Sequence, residues 1–174
     1  YGIAADASGI YVAGVTYGTL TGQTSVGSVD ALVRKYDAGG GEVWTRQFGS
    51  SSTDYGYSLS VDATAVYITG YTQGALPGQS NAGSSDVYVR RYNHDGSQSW
   101  TRQFGTATTE YAYGIAADAT GVYVAGQTYG VLPGTTNAGS ADAFLRKYAA
   151  DGSESSSGAG SASPPPRRTP APLR

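Results

Sequence analysis

Hydrophobic and polar residues alternate along this chain with a period of two, in short runs separated by breaks rich in Gly, Asp, Asn and Ser. In YSLSVD, residues 57–62, Tyr57, Leu59 and Val61 alternate with Ser58 and Ser60, the pattern of a strand with one buried face. VYITG at 66–70 is β-branched or aromatic on both faces, which predicts a strand covered on two sides. DVYVRRY at 86–92 and SWTRQFG at 99–105 supply a third and a fourth strand. The connections Asp62-Ala63-Thr64-Ala65 and Asn93-His94-Asp95-Gly96 have the Asx- and Gly-rich chemistry of hairpin turns. No segment carries a 3.6-residue apolar stripe, so no helix is expected.

The same four-strand pattern returns every 56 residues. Gly14, Gly70 and Gly126 keep that interval, as do Tyr11, Tyr67 and Tyr123, Asp30, Asp86 and Asp142, and the pair Trp44 and Trp100. YGIAAD at 1–6 and 113–118, and DALVRKY at 30–36 against DAFLRKY at 142–148, set the other copies in register. A period of this length marks an array in which one supersecondary unit stacks on copies of itself. Sheets that are apolar on both faces must lie between like sheets. The expectation is therefore an all-β, β-propeller-like array of three four-stranded antiparallel blades over residues 1–155, at about 1–56, 57–112 and 113–155. A β-sandwich or a β-solenoid would use the same strands, but solenoid coils are much shorter than this repeat. Propellers close with about four to eight blades, so three leave an incomplete ring whose outer faces are open.

The third copy departs from the pattern at Ser156, where the other copies have Trp44 and Trp100. Residues 156–174 hold five of the chain's seven prolines and almost nothing able to build a core, which predicts a disordered C-terminal tail. A natural tail and out-of-frame translation both produce such a segment. Composition narrows the partners: with 14 % charged residues and a net charge of −2 there is no sustained basic surface, so nucleic acid is not an expected partner. No apolar run approaches the length of a membrane span. The absence of Cys removes disulfides and thiolate metal sites. With no Met and Tyr at position 1, the chain reads as a processed product or a fragment, so a missing signal peptide does not place it in the cytoplasm.

EYAYGIAADATGVYVAGQT at 110–128, followed by ADAFLRKYAADGSE at 141–154, resembles the bacterial SBBP repeat, a β-propeller repeat, and the resemblance covers residues 1–155. It implies a segment of a large secreted or cell-surface protein, an extracellular location, and no catalytic residues or cofactor.

Candidate chemistry is sparse. The recurring Asp30, Asp86 and Asp142 open the third strand of each copy, and Asp6, Asp62 and Asp118 close the first. A carboxylate repeated in every copy can ring a ligand; each can equally accept backbone N–H bonds in its own turn. Asn93-His94-Asp95-Gly96 lacks the oxygen ligands of a calcium loop, and no metal site is expected. The dibasic pairs Arg34-Lys35, Arg90-Arg91 and Arg146-Lys147 read as solvated strand ends, and Arg46 shares a face with Trp44 and Phe48, where it can stack. His94 reads as an exposed turn residue. The loops at 16–29, 72–85 and 128–141 carry Tyr17, Gln73, Tyr129, Asn81 and Asn137, side chains suited to sugar stacking and hydroxyl recognition, while Leu20, Leu76 and Leu132 can plug the loops onto the sheets. Three functions follow: a non-catalytic interaction scaffold for an unknown protein or glycan, a lectin-like module with one weak site per copy, and a propeller lyase or hydrolase. One His, no Cys and no Ser-His-acid arrangement speak against the third. A homo-oligomer that completes the ring is a further possibility.

Overall fold

The two-residue alternation folds as twelve strands and, among the described residues, no helix. The computed structural model describes residues 1–137 and 139–155, and the expected disordered tail lies outside the described residues. Strands β1 (Gly2–Asp6), β2 (Gly9–Thr16), β3 (Asp30–Tyr36) and β4 (Glu42–Phe48) form the first sheet. The middle sheet contains β5 (Asp54–Val61), β6 (Ala65–Thr72), β7 (Asp86–Asn93) and β8 (Gln98–Phe104). The third contains β9 (Glu110–Asp118), β10 (Gly121–Thr128), β11 (Asp142–Tyr148) and β12 (Glu154–Ser155). Within the sheets, all strand pairings are antiparallel between neighbours in chain order.

β5 begins three residues before the position that its alternation predicts. Gly56 pairs with Gly70 and Ser58 with Thr69, so Tyr57 is an extra residue in a bulge. The bulge breaks the period of two, which hides the strand's first turn from a pattern reading. β9 repeats the irregularity opposite Ala125 and Gly126. At the third hairpin of each sheet, Gly40, Gly96 and Gly152 take φ of +84°, +82° and +81°, the left-handed region that Gly enters without a Cβ clash.

The sheets pack face to face through two apolar cores. Between the first and middle sheets lie Tyr11, Val33, Trp44 and Phe48 against Leu59, Ile68, Tyr88 and Tyr92. Between the middle and third lie Tyr67, Val87, Val89 and Trp100 against Val122, Val124, Phe144 and Tyr148. The middle sheet thus buries opposite faces in two cores, which is why VYITG is apolar throughout. The outer sheets each bury one. Leu59 is 6 % exposed, whereas Ile3, its counterpart one repeat earlier, is 72 % exposed; Val89 is fully buried and its counterpart Leu145 is 46 % exposed.

Hydrogen bonds fix the register between sheets. Trp44 Nε1 donates to His94 O at 3.0 Å and Trp100 Nε1 to Ala150 O at 3.0 Å, while Arg46 Nε donates to Gly96 O at 2.8 Å and Arg102 Nε to Gly152 O at 2.7 Å. Arg46 stacks over Trp44 at 5.5 Å, as the shared strand face predicts. The dibasic pairs, by contrast, are not solvated strand ends. Arg90 is 4 % exposed, lies 4.0 Å over the Phe48 ring and donates to Thr101 Oγ1 at 2.8 Å; Lys35 is buried and donates to His94 O. β7 has a neighbouring sheet on both faces and Lys35 on β3 faces the middle sheet, and the Arg90 guanidinium remains buried because it is paired and stacked.

Candidate functional site

The long loops sit at one end of the stack, where β2, β6 and β10 finish and β5 and β9 begin. Their backbone is held from inside by buried acids. Asp30 accepts from Val26 N and Gly27 N at 3.0 Å and from Gln47 Nε2 at 2.7 Å, and Asp86 accepts from Ala82 N at 2.8 Å and Gln103 Nε2 at 2.9 Å. Asp54 and Glu110, one on each following sheet, accept from Ser50 N and Thr106 N in the same way. Burial opposes the charge on Asp30, but Gln47 and the two backbone N–H groups hold its carboxyl below the usual value. Burial raises Asp54, and the negative charge of Asp30 adds to that rise. The two carboxylates meet at Gly49: a Cβ there would lie 2.5 Å from Asp30 Oδ1 and 2.6 Å from Asp54 Oδ2. Asp142, also buried, opens β11 at the equivalent position.

Asn81 and Asn137 turn onto their own loops, accepting from Gly83 N at 3.4 Å and Gly139 N at 2.8 Å. Leu76 and Leu132 are buried in the two cores as plugs, while Leu20, with no sheet on its side, is half-buried. Tyr17, Gln73 and Tyr129 are exposed at the loop bases. The structure therefore separates the candidate residues: Asp30 and Asp86 face inward, the two Asn shape turns, and Tyr17, Gln73 and Tyr129 face outward.

The dominant feature of this end is a network of tyrosines that the loop reading missed. Tyr55 and Tyr71 stack at 5.1 Å with planes 8° apart, and Tyr71 meets Tyr111 edge-on at 4.8 Å. Tyr57 bridges Tyr1 at 5.6 Å and Tyr113 at 5.8 Å, and Tyr17 Oη lies 3.4 Å from Tyr55 Oη. The rings come from all three copies. Their signal was present in the sequence, since Tyr1, Tyr57 and Tyr113 are 56 apart, as are Tyr55 and Tyr111. Tyr55 and Tyr57, and Tyr111 and Tyr113, each two residues apart on a strand, keep their rings 5.7 and 6.1 Å apart across the bulges. The hydrogen bond with Tyr17, followed by burial, pushes Tyr55 up to about 12, and burial raises Tyr57, Tyr71 and Tyr113. The hydroxyls of Tyr55, Tyr57, Tyr71 and Tyr113 are consequently neutral at physiological pH, and Tyr1, Tyr17, Tyr113 and Tyr129 are exposed. Large rigid aromatic surface with a neutral polar tip is the chemistry of interfaces with proteins and sugars.

His94, expected as an exposed turn residue, instead lies in the crease between the first and middle sheets at the opposite end, bonded to Tyr11 and Ser8. Among the described residues, no group of three or more His, Cys, Asp or Glu is placed to hold a metal ion, and no helix is long and apolar enough to cross a membrane.

No family model matches the chain. It is 33 % identical over 146 residues to a curated relative, the regulatory protein FlaEY of Caulobacter vibrioides, in a match that covers 76 % of this chain. The matched part spans about 15 % of that relative's length.

Proposed function

We propose that this chain is a non-catalytic β-propeller segment of the SBBP-repeat kind, serving as an interaction scaffold within a larger secreted or cell-surface protein. The observation that carries the reading is the tyrosine network: six rings from all three copies join into one surface at the loop end. Tyr is enriched where proteins meet because it supplies contact area with few rotatable bonds. The blade arrangement is supported by the outer faces. Ile3 on one side and Leu145 on the other occupy positions that are buried at the internal interfaces, so each outer face is half of an interface that the molecule already makes twice. The regulatory name of the matched relative is in keeping with a binding role, although the chain spans too little of that protein for its function to transfer.

A Tyr17→Ser/Tyr113→Ser/Tyr129→Ser variant tests the reading. All three side chains are exposed, so folding is expected to persist while a defined partner found with the wild-type chain is lost. A partner bound equally by the variant places the contact surface elsewhere. A lectin-like module is the second reading, because Tyr17, Gln73 and Tyr129 recur at one position per copy and equivalent weak sites gain avidity together. Asn81, Asn137, Asp30 and Asp86 are committed to loop backbone or to Gln side chains, which removes most of the polar ligands that this second reading needs. A glycan array without a hit counts against it.

A further inference from the structure

The two inter-sheet creases at the short-hairpin end are built alike; the first holds an imidazole at the edge of an open hollow lined by Asp6, Ser8, Asp62 and His94, and the second holds none. In the first crease His94 projects from the β7–β8 turn. Its Nδ1 lies 2.6 Å from Ser8 Oγ and 2.8 Å from Tyr11 Oη, its Nε2 lies 3.1 Å from Asp62 O, and its ring meets Tyr11 edge-on at 5.9 Å. The Asp6 carboxylate is 3.9 Å from Nδ1. This set holds an imidazole by pairing both of its nitrogens.

One repeat later the surroundings recur and the imidazole does not. Tyr67 stands for Tyr11, Asp62 for Asp6, the Asp118 turn for the Asp62 turn, and Ala150 for His94. The backbone that would carry the missing ring is placed as before. Ala149 N donates to Ser153 O at 2.9 Å as Asn93 N does to Ser97 O, and Ala150 O accepts from Trp100 Nε1 at the same 3.0 Å at which His94 O accepts from Trp44. The crease holds a cavity of about 220 Å³ lined by Asp62, Tyr67, Asp118, Val122, Ala149 and Ala150. A single water needs roughly 10–15 Å³ on this measure, so the space takes a small ring. The Tyr67 hydroxyl, freed of a ring nitrogen, turns to Asp62 Oδ2 at 3.1 Å.

We propose that the crease between the middle and third sheets is a binding site for an imidazole-type ring, a small planar group with one nitrogen facing the Tyr67 hydroxyl and an N–H facing the Asp118 carbonyl. Such a ring is carried by a free small molecule or by a histidine of a partner. The first crease is the internal precedent: Tyr11 Oη and Asp62 O already pair the two nitrogens of His94, and Tyr67 and Asp118 stand in their places, whereas Thr64, in place of Ser8, is bonded to Asp62. The site is independent of the tyrosine-rich surface, and neither reading requires the other.

The test is an NMR titration of the full chain with imidazole at neutral pH. Saturable shifts are expected for the amides of residues 118–121 and 149–151, at lower imidazole concentration than any around Ser8 and Asp62, where His94 already holds the ring's place. Ala150→His fills the cavity from within and should abolish the response. His94→Ala opens the first crease and should add a second responsive cluster at residues 8–11 and 62–65. Tyr67→Phe, which removes one hydrogen bond, should weaken binding about threefold to tenfold. A capped tripeptide containing histidine separates the sources: binding of both probes assigns a side chain presented by a partner, and binding of imidazole alone assigns a free molecule. The absence of saturable shifts at tens of millimolar imidazole overturns the proposal, as does a response that survives in Ala150→His. Should that variant fail to fold, an unaltered response in Tyr67→Phe and no new cluster in His94→Ala overturn it equally.

Discussion

Trp100 joins the middle sheet to the third, and its removal should detach the third sheet alone. The indole is 7 % exposed, packs against Tyr67 at 6.2 Å and Tyr148 at 6.3 Å, carries Arg102 at 5.6 Å, and donates Nε1 to Ala150 O. Trp→Ala in a core costs about 3–5 kcal/mol. The stranded Ala150 carbonyl adds about 1 kcal/mol. Because each sheet contacts only its neighbours, stability is approximately a sum of sheet and interface contributions, and this loss falls on one interface. At a urea dependence of about 1 kcal/mol/M, it displaces the third sheet's transition by several molar, enough to unfold that sheet in water. The assay is urea denaturation of Trp100→Ala followed by two probes. With two Trp in the chain, the variant keeps Trp44 as its sole indole, which reports on the interface between the first and middle sheets. Its fluorescence transition should stay near the wild-type midpoint while the circular dichroism signal loses part of its amplitude at low urea. A single transition, displaced as a whole and coincident by both probes, would refute the modular account.

The third sheet, whose outer strand has only two described residues, should show the fastest amide exchange of the three, and protection equal to that of the middle sheet would contradict this. Gly49→Ala should cost about 1–3 kcal/mol, since its Cβ would press on the Asp30 and Asp54 carboxylates, whereas Gly18→Ala, with nothing within 4 Å, should stay within about 0.5 kcal/mol of wild type in thermal melts. Asp6, Asp30 and Asp62 have lowered folded-state pKa values, so their stabilisation is present above the unfolded value of about 3.9 and is lost as pH falls below it. Asp54 has a raised value and acts in the opposite sense, its cost growing as pH rises through and above about 4. Asp54→Asn should therefore gain stability relative to wild type on going from pH 3 to pH 7, and parallel pH curves would show that Asp54 does not titrate as its surroundings imply.

Strand identity and the four-strand repeat were legible because period-2 alternation and the 56-residue interval are local properties of the chain. The plugging role of Leu76 and Leu132 was legible too, for a recurring apolar residue within a polar loop has little else to do. Three features were not. The bulges at Tyr57 and Tyr113 shift the alternation by one residue and so conceal the strand starts, and the tyrosine network joins rings of different sheets, whose placement the alternation does not carry. The burial of Arg90 and Lys35 depends on which neighbouring sheet covers the strand, and a basic pair on a strand looks solvated until that neighbour is placed. His94 bonds to residues more than 80 positions away, a distance at which one sequence carries no register.

The native mass of the full chain across a concentration series tests whether the two outer faces are halves of an interface that the molecule already makes twice. Association that grows with concentration, resolves into a discrete closed oligomer and is suppressed by Leu145→Lys is the predicted result. A monomer at every concentration, unaffected by that substitution, would contradict it.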